Sequence, residues 1–314
     1  MGFEFIERSF FSLGTLNHIK IFNCKDESLL DMAQNRVNEI NDRMSAFKTD
    51  SDISKINSNS GKGFADIHED TLKLLARSIE FSQITSGAFD ITIRPLVELW
   101  GIGKKNNFIP SEVEIENAKK LVNFKDIVLD YANCRAMLVN PSQCIDLGGI
   151  AKGFAADEVK RILVESNVDS ALINLGGNII TIGNRPDGSP WQIGIQNPLS
   201  SRGMYVGILE LSDKTVVTSG SNERFFIKDG IRYHHILDPR TGKPANPSIL
   251  SVTAVTSRSM DADAITTALF ILGTEAITAK GSALFGSIKF ESVFITKDAE
   301  IIVSEGLKER FKVL

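Results

Sequence analysis

The sequence predicts an α+β fold in which antiparallel sheets pack against helices. Two observations carry this. Short apolar runs come in pairs around tight turns, as in Arg224 to Ile227 and Ile231 to His235 around Asp229-Gly230, a favoured hairpin turn. Longer patterns of helical period lie between groups of strands instead of alternating singly with them, which argues against a doubly wound parallel sheet. No repeat at a fixed period is visible and no linker separates two folds. The 314 residues therefore read as one domain, or as two interleaved lobes.

In chain order, residues 3–22 read as two strands around Gly14-Thr15, with Phe10, Phe11, Ile19 and Phe22 as apolar faces. Residues 27–44 read as a helix because Leu30, Ala33, Val37, Ile40 and Met44 recur on one face. Ser45 to Gly63, rich in Ser, Asn, Asp and Gly, reads as mostly loop. Phe47 is an isolated aromatic in it, either a loop anchor or a stacking surface for a ring. A second helix is expected at 68–85, ending in the small-residue turn Ser86-Gly87-Ala88-Phe89-Asp90. Ser111 and Glu114 form a capping box that opens a third helix at 111–122. A hairpin is expected at 126–131 and 135–139.

The segment Ile145-Asp146-Leu147-Gly148-Gly149-Ile150-Ala151-Lys152-Gly153 reads as a strand, a glycine turn and the start of a helix that runs to about Glu165. Such a turn lets backbone N–H groups approach an anion, with Lys152 adding charge; the alternative is an ordinary strand-to-helix connection. The spacing is neither that of a Rossmann nor that of a P-loop glycine motif. Ala171 to Ile182 reads as a strand broken by Gly176-Gly177, a bulge or a close backbone approach. Further strands are expected at 191–195, 204–211, 214–218 and 249–256. Ser259 opens a helix that Gly273 ends. A helix near 275–282 and strands at 287–296 and 299–303 close the chain.

Net charge is −4, from 35 basic and 39 acidic residues, which argues against a general nucleic-acid surface. Three cysteines without CxxC spacing suggest thiols and not a disulfide frame or a zinc site. No apolar run approaches 18 residues, so no membrane-spanning segment is expected. The first residues lack an apolar run followed by a cleavage site, so the sequence as it stands reads as cytoplasmic. An exported, membrane-anchored lipoprotein trimmed of its leader would begin the same way.

Asp263 and Thr267 stand four apart on the last long helix and share a face. Their hard oxygens suit Mg²⁺; capping and dipole stabilisation are the alternative for the acid. Two of four histidines, His234 and His235, adjoin Asp238. A histidine at a strand end can act as a general base, and of two neighbours on a strand only one enters a site.

Seven segments, in order, tie these clusters together: SLGT, SGAFDITIRPLVELW, IDLGGIAKGFAADEV, LINLGGNIITIG, TSGSNERFF, HHILDPRTGKP and DADAITTAL. Together they resemble the FAD:protein FMN transferase (ApbE, or thiamine-biosynthesis lipoprotein) family from about residue 10 to about residue 272. The resemblance implies a T-fold-like α+β architecture. It implies Mg²⁺-dependent transfer of FMN from FAD to a threonine hydroxyl of an acceptor flavoprotein, with release of AMP. A redox-complex subunit or a fumarate-reductase-like enzyme is the implied kind of acceptor. By the family pattern the Ala151 carbonyl, Asp263 and Thr267 hold the metal, and His235 is catalytic. The FAD contacts fall on Leu13, Phe47, Ala88, Phe89, Asp90, Gly148, Phe154, Leu237 and Thr266. This chain departs from the pattern with Leu13 for Met, Phe47 for Tyr, and Ser221-Asn222 for an acid and a tyrosine. Two other readings are an FAD pyrophosphatase giving FMN and AMP, and a flavin-binding module without turnover.

Overall fold

The computed structural model describes residues 3–103, 107–245, 248–273, 276, 285–286 and 288–314. Its centre is an eight-stranded antiparallel sheet, in the spatial order Phe5–Ser12, Thr15–Phe22, Ala171–Leu175, Asn178–Ile182, Thr215–Gly220, Ile249–Thr256, Glu291–Thr296, Ile301–Val303. Among the described residues these α-helices accompany it: α1 (Ser28–Met44), α2 (Asp52–Ser58), α3 (Glu69–Ile84), α4 (Arg94–Trp100), α5 (Glu112–Lys119), α6 (Ala151–Glu165) and α7 (Ser259–Leu272). Helix α6 packs between α1 and α7, and α6 and α7 lie on the sheet.

The sheet is covered on both faces, which explains its apolar composition. Val217 and Ala254 share the main core with α6 and α7. Their neighbours Val216 and Val255 point the other way, into a second core. That core is closed by a three-stranded sheet of Trp191–Gln196, Tyr205–Leu211 and Phe311–Val313. The strand Ile249–Thr256 is therefore buried almost throughout instead of alternating. A third cluster, of Leu96, Trp100, Ile115 and Leu237, joins α4 and α5 to the segment after His235.

Several sequence expectations change. The first hairpin turns at Leu13-Gly14, one residue before the predicted turn, and Leu13 takes a left-handed φ of 54°. Phe11 is exposed on the outer face while Phe10 faces in. The polar segment 45–63 contains α2, capped by the Ser51 side chain at Ser54 N and anchored by buried Ile53 and Ile56. Two apolar residues in a polar run are enough for a two-turn helix once its start is capped. Ala171 to Ile182 is a hairpin and not one broken strand: Gly176 and Gly177 both take positive φ and form its turn. The close approach is real as well, since a Cβ on Gly176 would lie 2.4 Å from Thr15 Cγ2.

Ile145 to Leu147 joins no sheet. The Asn57 side chain takes the place of a strand partner: Ile145 N donates to Asn57 Oδ1 (2.7 Å) and Asn57 Nδ2 donates to Ile145 O (3.1 Å). Short strands at Ala65–Asp66 and Phe311–Val313, and helix α4, were beyond the sequence expectation. The helix expected near 275–282 lies almost entirely outside the described residues.

Candidate active site

The site is built where the N-terminal turns of α6 and α7 cross. Neither helix has a side-chain cap of its own, because Ile150 and Arg258 precede them. The missing acceptors come from the opposite helix. Gly153 N donates to Asp263 Oδ2 (3.0 Å), and Ser259 N and Met260 N donate to the two oxygens of Asp157 (2.7 and 2.9 Å). The contact requires glycine: a Cβ on Gly153 would stand 2.3 Å from Ser259 O.

This crossing brings the sequence-distant candidates together. A Cβ on Gly149 would lie 3.4 Å from Thr267 Oγ1 and 3.3 Å from the Phe89 ring, so the glycine turn lies against both. Thr267 Oγ1 donates to Asp263 O (3.1 Å), leaving its lone pairs available. Lys152 Nζ donates to Gly148 O (3.1 Å) and stands 3.8 Å from Asp263 Oδ2, so positive charge is already favoured beside this carboxylate. Thr266 is fully buried; it donates to Asp263 O (3.0 Å) and accepts from Ser219 Oγ (3.0 Å), pinning α7 to the sheet.

The two histidines diverge as a strand requires. His234 is buried, Nε2 bonds Ala245 O (2.7 Å), and its ring meets Phe270 edge-on. Burial holds it below the usual histidine range. His235 is solvent-exposed, with Nδ1 3.3 Å from Arg224 O. Protein crowding first, then the nearby cations Arg224 and Lys152, depress its pKa to about 4.

A second group forms a rim. Phe47 is 67% exposed, and the buried Arg94 guanidinium lies 4.7 Å from its ring centroid. Arg94 Nη1 is 3.5 Å from Asp146 Oδ2, while Asp146 Oδ1 accepts from Gly148 N (2.8 Å). An ion pair thus links the loop aromatic to the glycine turn.

Other predicted flavin contacts stand further back. Ala88 and Phe89 are buried, and so is Leu237 within the third cluster. Asp90 is also buried, which raises its pKa. Its Oδ1 accepts from Thr92 N and Oγ1 and its Oδ2 from Phe124 N, so the carboxylate secures its own turn. Phe154 lines a separate groove between α3 and α6 with Leu72, Arg77, Asp157 and Met260. Sequence reading missed Asp157, Arg94, Asp146, Asn57 and Ser219. Asp146 and Asp157 lay inside a segment already singled out, but their partners are remote in the chain.

The donors at the crossing fit a hard cation: one carboxylate with an oxygen to spare, one hydroxyl with open lone pairs, and the backbone at Ala151 between Gly149 and Gly153. Among the described residues no three His, Cys, Asp or Glu residues gather as a ligand cluster; this set contains one such residue.

The ApbE family model matches residues 13–283. The chain belongs to the ApbE family. The FAD:protein FMN transferase of Klebsiella pneumoniae (strain 342) is 35% identical over 290 residues, covering 92% of this chain and 89% of that protein. The one from Treponema pallidum (strain Nichols) is 32% identical, covering 96% and 87%. Among solved structures, the ApbE protein of Thermotoga maritima matches with a TM-score of 0.89 and 32% identity, over 98% of this chain and 99% of that one. The flavin transferase ApbE of Vibrio cholerae matches with a TM-score of 0.87 and 28% identity, over 98% and 100%. The α+β, antiparallel architecture is thus that of the ApbE fold. No helix among the described residues is long and apolar enough to cross a membrane.

Proposed function

We propose that this ApbE-family chain is an FAD:protein FMN transferase that acts through its whole length as one domain. It moves FMN from FAD to a threonine hydroxyl of an acceptor flavoprotein. The observation that supports this best is the crossing of α6 and α7, where the glycine turn meets Asp263 and Thr267. The acceptor is a protein in the names carried by the curated relatives.

Asp263, Thr267 and the Ala151 carbonyl would hold Mg²⁺. The ion would supply charge neutralisation at the pyrophosphate and the AMP leaving group. The chain's own groups do the rest. Phe47, backed by Arg94, offers a face for a flat ring. Leu13, at the hairpin tip, and buried Phe89, Leu237 and Phe154 give apolar walls and support, and Gly148 gives an open backbone. His235, neutral at pH 7 because its pKa is depressed to about 4, accepts the threonine proton. The threonine oxygen bonds to the FMN-side phosphorus, the phosphorus–oxygen bond to AMP breaks, and AMP leaves.

Hydrolysis of FAD to FMN and AMP is the second reading, because water reaches exposed His235 as readily as a peptide hydroxyl does. Incubation with FAD, Mg²⁺ and an acceptor flavoprotein separates the readings. Covalent gain of one FMN mass on a threonine is expected. AMP and FMN without acceptor labelling would select hydrolysis, and unchanged FAD would leave only binding.

A further inference from the structure

Residues on α6 and α7 are related in a way that neither helix shows alone. On α6, Gly153 offers an N–H and Asp157, one turn later, offers a carboxylate. On α7, Ser259 offers an N–H and Asp263, one turn later, offers a carboxylate. The four groups pair crosswise, Gly153 with Asp263 and Ser259 with Asp157. Each helix therefore caps the other, across more than a hundred residues of chain.

The two carboxylates differ in what else they do. Asp263 carries one N–H on Oδ2 and adjoins Lys152 and Thr267, the groups of the active site. Asp157 carries two N–H bonds, one on each oxygen, and faces the groove on the α3 side with Arg77 and Met260. No role in substrate binding is left for it. Its bonds hold the first turn of α7, and the next two turns carry Asp263 and Thr267. Gly153 sets how closely the helices approach.

We propose that Asp157 is a positioning residue of the active site: by capping α7 from α6 it fixes where Asp263 and Thr267 stand against the glycine turn. Loss of the Asp157 cap lets the first turn of α7 fray, because an uncapped helix start leaves its N–H groups without acceptors. Asp263 then moves off Gly153 N, and a substitution at residue 157 is felt at an amide it does not touch. The catalytic part of this inference rests on the transferase reading; the structural part does not.

The test compares the full chain with Asp157→Ala and Asp157→Asn by residue-resolved amide exchange and by FMN-transfer kinetics. An N-cap is worth about 1 kcal/mol, and asparagine caps nearly as well as aspartate. In Asp157→Ala, exchange at Ser259, Met260 and Gly153 should rise about fivefold or more, while the C-terminal turns of both helices keep their protection. The kcat for transfer should fall with KM for FAD nearly unchanged. Asp157→Asn should restore part of both. If Asp157→Ala does not fold, the asparagine variant carries the same readout at smaller size. Wild-type protection at Gly153 in folded Asp157→Ala overturns the proposal, as does an equal change in kcat and KM. A wild-type protein without transfer would overturn the transferase reading, and exchange at Gly153 would still decide this one.

Discussion

The junction of α6 with α7 and the rim around it are built on opposite plans. At the junction Gly153, Ser259 and Asp263 are buried and Asp157 is half-buried, backbone N–H groups of each helix are matched to a carboxylate of the other, and Gly153 has no room for one added carbon. At the rim Phe47 and His235 are exposed, with Arg94 against the ring of the first and the Arg224 carbonyl near the imidazole of the second. In the transferase reading the junction holds a small cation to fixed oxygens, and geometry there is worth little unless it is stiff. In the same reading the rim admits a dinucleotide and a stretch of another protein, and it gains by being open. The difference teaches that damage at the two places should look different: stability and chemistry together at the junction, chemistry or affinity alone at the rim.

The largest effect is expected from Asp263→Ala. Transfer should fall by about a hundredfold or more, since both the cap on α6 and a charge-stabilising ligand are removed. The Mg²⁺ titration and the melting temperature should shift together. An unshifted Mg²⁺ dependence would refute its role at the metal. His235→Ala comes next, with a loss of roughly 10²- to 10⁴-fold in kcat, the range of general-base catalysis. FAD affinity by fluorescence and the melting temperature should be unchanged; a large drop in stability would make His235 part of the junction and break the comparison. Gly153→Ala should destabilise by about 1–3 kcal/mol, the usual cost of overpacking, because the Ser259 carbonyl has to give way. Thermal or urea unfolding measures it, and a neutral result would show the crossing to be more yielding than its spacing implies. Phe47→Ala should raise KM for FAD by about fivefold to tenfold, in line with about 1 kcal/mol for a ring contact, and leave kcat and stability alone.

The smallest effect concerns pH. His235 titrates at about 4 in the folded chain, and His234 is depressed as well, against 6.5 for both when unfolded. Between 6.5 and 4 the unfolded chain binds more protons, so this contribution to stability is present above 6.5 and lost as pH falls through that window. His235→Gln should flatten the melting-temperature slope there, slightly, because the ring is exposed. The transfer rate should keep its full base form down to about pH 5.

Elements with a strong period were legible in the sequence: α1, α3, α6, α7 and the hairpin at 225–234 lie where apolar spacing and turn residues put them. Helix α2 was not, because a short polar helix depends on the Ser51 cap and on the burial of only Ile53 and Ile56. The paired strands at 171–182 were read as one because a glycine pair marks a bulge and a turn alike. At the site, spacing on one helix singled out Asp263 and Thr267 but left capping as the alternative for the acid, and only the family resemblance gave them a metal role; the capping box of α5 was legible through local order. Asp157, Asn57 and Arg94 were out of reach, since the first two act on groups 88 to 103 residues away and the third on a ring in another loop. Local pattern records what a residue does for its own element, and these act for another.

Leu13 has a different lesson. A two-residue hairpin turn with its first residue at φ 54° is the usual place for asparagine or glycine, and a leucine there is strained by about 1 kcal/mol. The side chain packs partly against the main core, and in the transferase reading it touches FAD. Replacing it with asparagine should therefore improve the hairpin while weakening the enzyme. Directed evolution for heat resistance alone would drift toward that change, and selection for flavin transfer would push it back.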